Sequence, residues 1–188
     1  MAITSLRDRK REQNRSATVR AAWTLFIERG YDHVTVGDIC AAADIAPRTF
    51  HRYFASKEDV VAEPVRRMTA IVTGHIDGAP AEATDRAVMR GAMVEVARYV
   101  VEHRLLLTAL RTVAQQSTHL KVPHPDAGPD VAAQLAARHP DADPADWRRR
   151  LLVGCSTAAF RVWYEDFLPG GLDDPMDHLE SIMDAAGT

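Results

Sequence analysis

Apolar residues along this chain recur mostly three and four positions apart, and runs in which apolar and polar residues alternate are scarce. The first spacing is typical of an amphipathic helix and the second of a half-buried strand, so the pattern predicts an all-α fold. No internal repeat or low-complexity segment is present. The predicted helices cover approximately residues 8–29, a short segment beginning at 35, then 47–54, 57–75, 84–101, 103–116, 130–138, 146–168 and 174–186.

The first helix is predicted to pack onto the next two through one apolar stripe. This stripe consists of Val19, Ala22, Trp23, Phe26 and Ile27. Gly30 follows at a position where a left-handed residue commonly ends a helix. The next segment, from Thr35 to Asp38, has the form of a capping box, in which the hydroxyl accepts from a first-turn amide and the acid reaches back. The second helix is therefore expected to begin at Thr35.

The third helix is short and carries polar and aromatic side chains on its outer face. It is expected to begin at Pro47, which suits a first helical position, and to end at Phe54. Ile39, Ile45, Phe50 and Phe54 are expected to turn inward. The residues left outward are Arg48, Thr49, His51, Arg52 and Tyr53. Arginine can fork onto guanine, threonine can contact a thymine methyl group or phosphate, and histidine or tyrosine can reach phosphate, so this set predicts a DNA-reading surface.

A second capping box, at residues 56–59, is predicted to open the fourth helix. Lys57 lies in its first turn, where free amides and the helix dipole favour an anion, so contact with a DNA phosphate is expected. The helix is expected to reach about His75 with a kink at Pro64, and residues 74–80 are expected to end it.

The net charge of −3 conceals an uneven distribution. Residues 1–57 hold ten lysines and arginines against six aspartates and glutamates, a charge of +4, while residues 58–188 hold thirteen against twenty, or −7. A basic front joined to an acidic body suits a protein that meets phosphate at one end only. Because no apolar stretch approaches the roughly 18–20 residues of a membrane span and no signal-peptide hydrophobic region follows the N-terminus, we expect a cytoplasmic protein without membrane contact.

The N-terminal segment resembles the DNA-binding domain of the TetR family of bacterial transcriptional repressors. The resemblance covers roughly residues 15–62 and rests on Leu25-Phe26, Gly30-Tyr31, Thr35-Val36, Ile39, Thr49-Phe50, Tyr53-Phe54 and Ser56-Lys57-Glu58. Three positions depart from the family pattern: Asp44 replaces a usual glycine, Ala46 a capping serine or threonine, and His51 a commoner tyrosine. We expect Asp44 to adopt the left-handed conformation and Pro47 to replace part of the missing cap.

The resemblance implies a helix-turn-helix DNA-binding domain at residues 1–56 and a helical effector-binding and dimerisation domain at residues 57–188. It implies a homodimeric repressor that is released from a near-palindromic operator by a small apolar or aromatic effector, and no cofactor is expected. The predicted DNA-binding residues are Thr35, Pro47, Arg48, Thr49, His51, Arg52, Tyr53 and Lys57, with a basic arm at Arg7, Arg9, Lys10 and Arg11.

The C-terminal helices carry two further sets of predicted residues. In the family the last two long helices form the dimer interface, and the apolar candidates here are Phe160, Trp163, Tyr164, Phe167, Leu179, Ile182 and Met183. The candidate effector pocket consists of Met68, Met89, Met93, Tyr99, Leu106, Leu110, Trp147 and Phe160. Packing in the chain's own core is the open alternative for both sets. The helix at 103–116 is apolar nearly all round and is expected at the centre of a bundle.

Three other kinds of function are weighed against this prediction. The sequence has no Gly-rich phosphate loop, HExxH pair, GxSxG elbow or CxxC, which disfavours an enzyme. A metal-responsive regulator would use His119 and His124, with His103 and His139 nearby, but their spacing is irregular. A helical adaptor that binds only protein is disfavoured by the polar outer face of the third helix. Cys40 and Cys155 lie in different helices without metal spacing and are expected to be reduced.

Overall fold

The computed structural model describes residues 6–116, 129–139, 143 and 146–188. These residues form ten α-helices and one short 3-10 helix, and none of them lies in a strand, so the predicted all-α fold is confirmed. No helix of the described residues is long and apolar enough to cross a membrane. The helices are α1 (Leu6–Arg29), α2 (Val36–Ala42), α3 (Pro47–Tyr53), α4 (Lys57–Val61), α5 (Glu63–Gly78), α6 (Asp85–Glu102), α7 (Arg104–Gln116), α8 (Pro129–Ala137), α9 (Trp147–Phe167) and α10 (Pro175–Ala185), with the 3-10 helix η1 at Tyr31–His33.

The described residues group into two compact units. The first unit lies within Met1–Pro64 and Ala109–Val122, and the second within Val65–Thr108 and Pro123–Thr188. The first unit therefore extends through α4 to Pro64, eight residues beyond the boundary placed after residue 56 from the sequence.

The first unit is built around aromatic side chains that α1 and α3 bury. Phe26 lies 5.5 Å from Trp23 and 5.2 Å from Tyr31 between ring centroids. Phe50 is fully buried, as the inward prediction requires. Ile27 was expected in the same stripe, but its side chain is 61% exposed, so that prediction is wrong. Position 27 follows Phe26 by about 100° around the helix, which carries its side chain out of the buried face.

The turn between α2 and α3 follows the sequence prediction closely. The Thr35 hydroxyl accepts from the Asp38 amide at 3.2 Å and the Asp38 carboxylate accepts from the Thr35 amide at 2.8 Å, which completes the capping box. Asp44 adopts the expected left-handed conformation, with φ of 50°. Ala46 provides no side-chain cap for α3, and Pro47 occupies the start of the helix.

The second predicted capping box does not form. The Ser56 side chain makes no capping hydrogen bond with the amides of α4, and the Asp59 carboxylate accepts from the amide of Ala55 at 3.0 Å. Ser56 has φ of −155°, an extended backbone. The same sequence signature therefore produces two different local structures in this chain.

The predicted fourth helix is two helices. α4 ends at Val61, and α5 begins at Glu63 after a break at Ala62, where a kink at Pro64 was expected. Because proline lacks an amide hydrogen and its ring clashes with the carbonyl of residue i−4, Pro64 is compatible with the first turn of a new helix and not with the middle of a continuous one. Gly74, which was expected to end the helix, lies inside α5.

The core of the second unit lies among α6, α9 and α10. Trp163 is fully buried, stacks on Phe167 at 5.2 Å and donates its indole N–H to the carbonyl of Pro175 at 2.5 Å. Leu179 and Met183 on α10 are also fully buried. At the surface, Arg90 of α6 donates to the carboxylate of Asp184 on α10. The core therefore contains aromatic and apolar side chains that were predicted from the sequence to contact a partner chain.

One other expectation for this region is corrected. The helix α7 is one-sided: Leu107 is fully buried but Leu105 is 86% exposed, so the helix is not apolar and buried all round. The long helix α9 is capped by Asp146, which accepts from the Arg148 amide at 3.0 Å. His119 and His124 lie outside the described residues.

Candidate nucleic-acid interface

The outer face of α3 presents the polar side chains that the sequence placed there. Pro47, Arg48, His51 and Arg52 are exposed, and Thr49 and Tyr53 are half-buried. The backbone of Ala46 is extended, with φ of −70° and ψ of 149°, so α3 begins directly at Pro47. Two arginines one helical turn apart and a threonine beside them therefore share one solvent-facing surface.

Arg52 is held in a defined position by its neighbour. Its guanidinium donates to the hydroxyl of Tyr53 at 3.0 Å and lies 5.0 Å from the centre of the Tyr53 ring. Stacking on a ring limits the rotamers of a long side chain and leaves the remaining N–H donors free to point outward. Such a guanidinium can donate two parallel hydrogen bonds to a guanine edge or a phosphate.

The opposite face of α3 anchors this surface to the rest of the unit. Phe50 and Phe54 are buried, with ring centroids 5.6 Å apart. The guanidinium of Arg15 on α1 lies 5.1 Å from the Phe54 ring and donates to both carboxylate oxygens of Glu63 at the start of α5. Hydrogen bonding to Glu63 raises the pKa of Arg15. This group links α1, α3 and α5 within the first unit, and the sequence analysis did not identify Arg15 or Glu63.

The two predicted phosphate contacts outside α3 are engaged within the chain. The Thr35 hydroxyl donates to Asp38 Oδ2 at 2.5 Å, and this bond is the main cause that lowers the pKa of Asp38. Lys57 Nζ donates to the carbonyls of Tyr31 and Val34 at 3.1 and 3.2 Å and lies 4.2 Å from the centre of the Tyr31 ring. An ammonium group has three donors, so one remains for a phosphate.

Tyr31 joins the end of α1 to the start of α4. Its hydroxyl donates to Glu58 Oε1 at 2.6 Å. Burial raises the pKa of Tyr31, with a further contribution from the bond to Glu58. The Ser56 hydroxyl first, and then the Tyr31 hydroxyl, lower the pKa of Glu58. The paired tyrosine and lysine thus fix the position of the α4 N-terminus beside the recognition surface.

The predicted dimer residues lie mostly inside the second unit. Trp163, Phe167, Leu179 and Met183 are buried in the single chain, because they form the core among α6, α9 and α10, so they leave little side-chain surface for a partner chain. Phe160, Tyr164 and Ile182 are half-buried.

A different stripe of α9 faces solvent. Its members are Trp147, Leu151, Gly154, Ala158 and Val162. The side chains of Trp147 and Leu151 are each 55% exposed and that of Val162 is 47% exposed. These five residues are spaced four, three, four and four positions apart, which is a helical pattern visible in the sequence. The dimer prediction instead followed the aromatic residues at 160–167.

The predicted effector residues differ in their burial. Met68, Met89, Met93 and Leu110 are buried, whereas Leu106 and Phe160 are half-buried. Tyr99 stacks on His103 with ring centroids 4.2 Å apart. Trp147 was expected to line an inner pocket, but its side chain is 55% exposed on the outer stripe of α9 and lies beneath the guanidinium of Arg148.

The histidines named for a metal site have other partners where the structure describes them. His103 Nδ1 lies 2.9 Å from the carbonyl of Tyr99, and His139 Nε2 lies 2.9 Å from Asp85 Oδ1. Among the described residues, no three histidine, cysteine or acidic side chains are arranged to hold a metal ion.

The geometry of the first unit defines a class of protein. Two short helices joined by a tight turn, the second of which is anchored by buried phenylalanines and exposes arginines and hydroxyl groups, form a helix-turn-helix DNA-binding unit. Residues 19–63 match the family described as bacterial regulatory proteins, tetR family. The HTH-type transcriptional regulator TcmR of Streptomyces glaucescens is 30% identical over 173 residues, which cover 85% of this chain and 76% of TcmR.

Two solved structures share the fold across both units. A TetR family transcription regulator from Marinobacter aquaeolei VT8 has a TM-score of 0.57 at 19% identity and covers 95% of this chain and 96% of its own. Thermus thermophilus FadR, a TetR family transcriptional repressor in complex with lauroyl-CoA, has a TM-score of 0.56 at 19% identity and covers 92% of each chain. The chain belongs to the TetR family, and it is a DNA-binding transcriptional regulator and not an enzyme.

Proposed function

We propose that this protein is a ligand-responsive repressor that binds a near-palindromic operator as a homodimer. The observation that carries the proposal is the outer face of α3, where Arg48 and Arg52 are exposed and Tyr53 holds the Arg52 guanidinium. Arginine at such a position reads guanine in the major groove, and a contact from the remaining Lys57 donor to phosphate would fix the register of the helix on DNA. The predicted Thr35 phosphate contact would require the Thr35 hydroxyl to give up its bond to Asp38.

The dimer in this proposal forms through the outer stripe of α9, which comprises Trp147, Leu151, Gly154, Ala158 and Val162. A contiguous apolar surface of this kind on an otherwise polar helix face is typical of a protein interface. A side-chain carbon added at Gly154 would meet no atom within 4 Å, so a second helix can approach the backbone there. Two copies related by a twofold axis present two recognition helices to two half-sites.

Ligand control in this proposal acts through α5. Its first residue, Glu63, holds Arg15 of α1 in the first unit, and the same helix continues to Gly78. A ligand that prefers one position of α5 changes the population of the DNA-binding state by the difference in its affinity for the two states.

Fluorescence anisotropy with labelled duplexes from the gene's own upstream region tests the DNA-binding face. The double variant Thr49→Ala with Arg52→Ala should lose at least about 30-fold in affinity, because each base contact contributes roughly 1–3 kcal/mol. Arg66→Ala with Thr69→Ala is a matched control, since it removes the same two residue types at the same separation from exposed positions of α5. Equal binding by both variants would contradict the role of α3.

Analytical ultracentrifugation tests the interface. Leu151→Arg should convert the dimer to a monomer, because a charge in the centre of an apolar interface is left unpaired. Leu105→Arg is the control, since Leu105 is also exposed but lies outside α9. Dimerisation that survives Leu151→Arg would overturn this interface.

A further inference from the structure

The second unit contains an open cleft between α5 and α6 that none of the predicted effector residues lines. Its volume is about 610 Å³, within the range of small-molecule sites. Most of its wall is small or apolar, including Ala70, Gly74, Gly78, Ala83, Ala87 and Val88. The polar lining residues are Arg67, His75 and Glu95.

Gly74 and Gly78 deepen this cleft without another structural reason. A side-chain carbon added at either position would meet no atom within 4 Å. Glycine is a poor helix former, and Gly74 lies in the interior of α5, where alanine would stabilise the helix. Because glycine has no side chain, these two positions leave space along the backbone of α5.

One corner of the cleft is polar and has a fixed geometry. His75 Nδ1 lies 3.1 Å from Glu95 Oε1. A side-chain carbon added at Gly91 would lie 2.5 Å from His75 Nε2, so glycine at that position leaves room for the imidazole ring where it lies. Gly91 and Glu95 are one turn apart on α6 and hold the ring together. Because the Glu95 side chain is 49% exposed, its carboxylate can also accept a hydrogen bond from a bound molecule.

Arg67 lies at the other end of the cleft. It is eight residues before His75 on α5, a separation of about 12 Å along the helix. Its side chain is exposed, and its guanidinium has no ion-pair or hydrogen-bond partner among the described residues. A guanidinium in this position is suited to pair with a carboxylate.

Besides α5 and α6, the connection between them forms a side of the cleft, and hydrogen bonds hold this connection in place. The connection from α5 to α6 contributes Ala79, Pro80 and Ala83 to the lining. Arg138, the residue after α8, donates to the carbonyls of Pro80 and Ala83 at 2.6 and 3.2 Å and to the carboxylate of Asp85 at 3.3 Å. The cleft is therefore largely preformed, which lowers the conformational cost of binding.

We propose that this cleft binds an amphipathic hydroxylated organic acid. The carboxylate of the ligand pairs with Arg67, a flat or slender apolar body lies along Gly74 and Gly78, and a hydroxyl group at the far end of that body donates to Glu95. This inference rests on the proposed ligand-responsive function and names the chemical class of the ligand.

The test uses two naphthoates that differ in one hydroxyl group. 6-Hydroxy-2-naphthoic acid carries an acid and a hydroxyl at opposite ends of a flat body, and 2-naphthoic acid lacks the hydroxyl. In NMR titrations of the full chain, both should shift the amide signals of Gly74 and Gly78, and the hydroxylated acid should bind about five-fold more tightly, as expected for one hydrogen bond.

Variants on α5 show whether binding occurs in the cleft. Arg67→Gln and Gly74→Leu should each weaken both acids at least about tenfold, through loss of a charged hydrogen bond and loss of space. The controls Arg66→Gln and Thr69→Leu should leave both affinities within about two-fold. Two results would overturn the assignment. One is the absence of shifts at Gly74 and Gly78 in the wild type, and the other is that Arg67→Gln and Gly74→Leu bind both acids as tightly as the wild type does.

Operator binding is measured separately, so that failure of the site and failure of the proposed function are distinguished. The naphthoate titrations contain no DNA and test the cleft alone. If an acid binds in the cleft and leaves DNA affinity unchanged at saturation, the ligand site is supported and control of DNA binding through α5 is contradicted.

Discussion

The helices α3 and α9 face solvent in opposite ways. α3 buries its phenylalanines and exposes arginines, whereas α9 buries Trp163 completely and leaves Trp147 55% exposed. Exposed arginines suit phosphate and base edges, while an exposed apolar stripe suits a second apolar surface. Two tryptophans on one helix can therefore have different roles, which are decided by the helix face and not by residue type.

The two tryptophans of α9 give the sharpest test of this contrast. Trp163→Ala should destabilise the second unit by about 3–5 kcal/mol, because it removes a fully buried indole and its hydrogen bond to the Pro175 carbonyl. Urea unfolding followed by circular dichroism measures the loss.

Trp147→Ala is the matched outer variant. It should weaken self-association, which sedimentation measures, and change unfolding mainly through that dimerisation, so its effect should fade on dilution. A concentration-independent loss as large as that of Trp163→Ala would show that the inner and outer faces of α9 are not distinct.

The two capping-box sequences of the first unit test the contrast at a smaller scale. Thr35→Ala should destabilise this unit by about 1 kcal/mol, because the Thr35 hydroxyl caps α2. Ser56→Ala should cost less than about 0.5 kcal/mol, because Ser56 caps no amide of α4. Thermal unfolding of the two variants measures the difference, and equal losses would mean that the two boxes are equivalent.

The turn before α3 should tolerate the residue that the family usually has there. Asp44→Gly should stabilise the first unit by roughly 0.5–1 kcal/mol, because φ of 50° strains a residue with a side chain. Ala43→Gly is the control and should destabilise, since Ala43 has an ordinary right-handed φ of −90°. Urea midpoints measure both changes, and destabilisation by Asp44→Gly would contradict the assigned strain.

The smallest expected effect is the acid dependence of the Tyr31–Glu58 pair. The folded state lowers the pKa of Glu58, first through Ser56 and then through Tyr31, so it binds fewer protons than the unfolded state in mild acid. Its stabilisation is present above the ordinary glutamate pKa of about 4.3 and is lost as pH falls through the lowered value. Because Glu58 is exposed, solvent screening limits this contribution to a few tenths of a kcal/mol.

Tyr31→Phe should reduce the acid dependence of stability below about pH 4.3, since it removes one of the two hydroxyl groups bonded to Glu58. Urea unfolding at several pH values measures this slope. An acid limb that is unchanged in Tyr31→Phe would show that the bond does not contribute.

Local signals in the first unit made much of its structure predictable. The box at Thr35, the left-handed position of Asp44 and the start of α3 at Pro47 each depend on neighbouring residues, and each is confirmed. Ser56 shows the limit of this reasoning, because its extended backbone and its neighbours Glu58 and Asp59 determine its hydrogen bonds. The Arg15–Glu63 pair joins residues 48 positions apart, and no local pattern indicates it.

The second unit was predictable as helices but not as surfaces. The period of α9 predicts a helix whether Trp163 or Trp147 faces the core, and the choice depends on packing against α6 and α10. The cleft between α5 and α6 was missed because glycines and alanines carry no chemical signal in a sequence. Its polar residues, Arg67, His75 and Glu95, are also widely separated along the chain.

Selection of bound duplexes from a fully randomised pool tests the central claim, that α3 reads DNA sequence, most directly. The wild-type protein should enrich a near-palindromic motif with half-sites about one helical turn apart. The Thr49→Ala with Arg52→Ala variant should lose that motif, while Arg66→Ala with Thr69→Ala should retain it. Enrichment of the same motif by the α3 variant, or of no motif by the wild type, would contradict the assignment of α3 as the recognition helix.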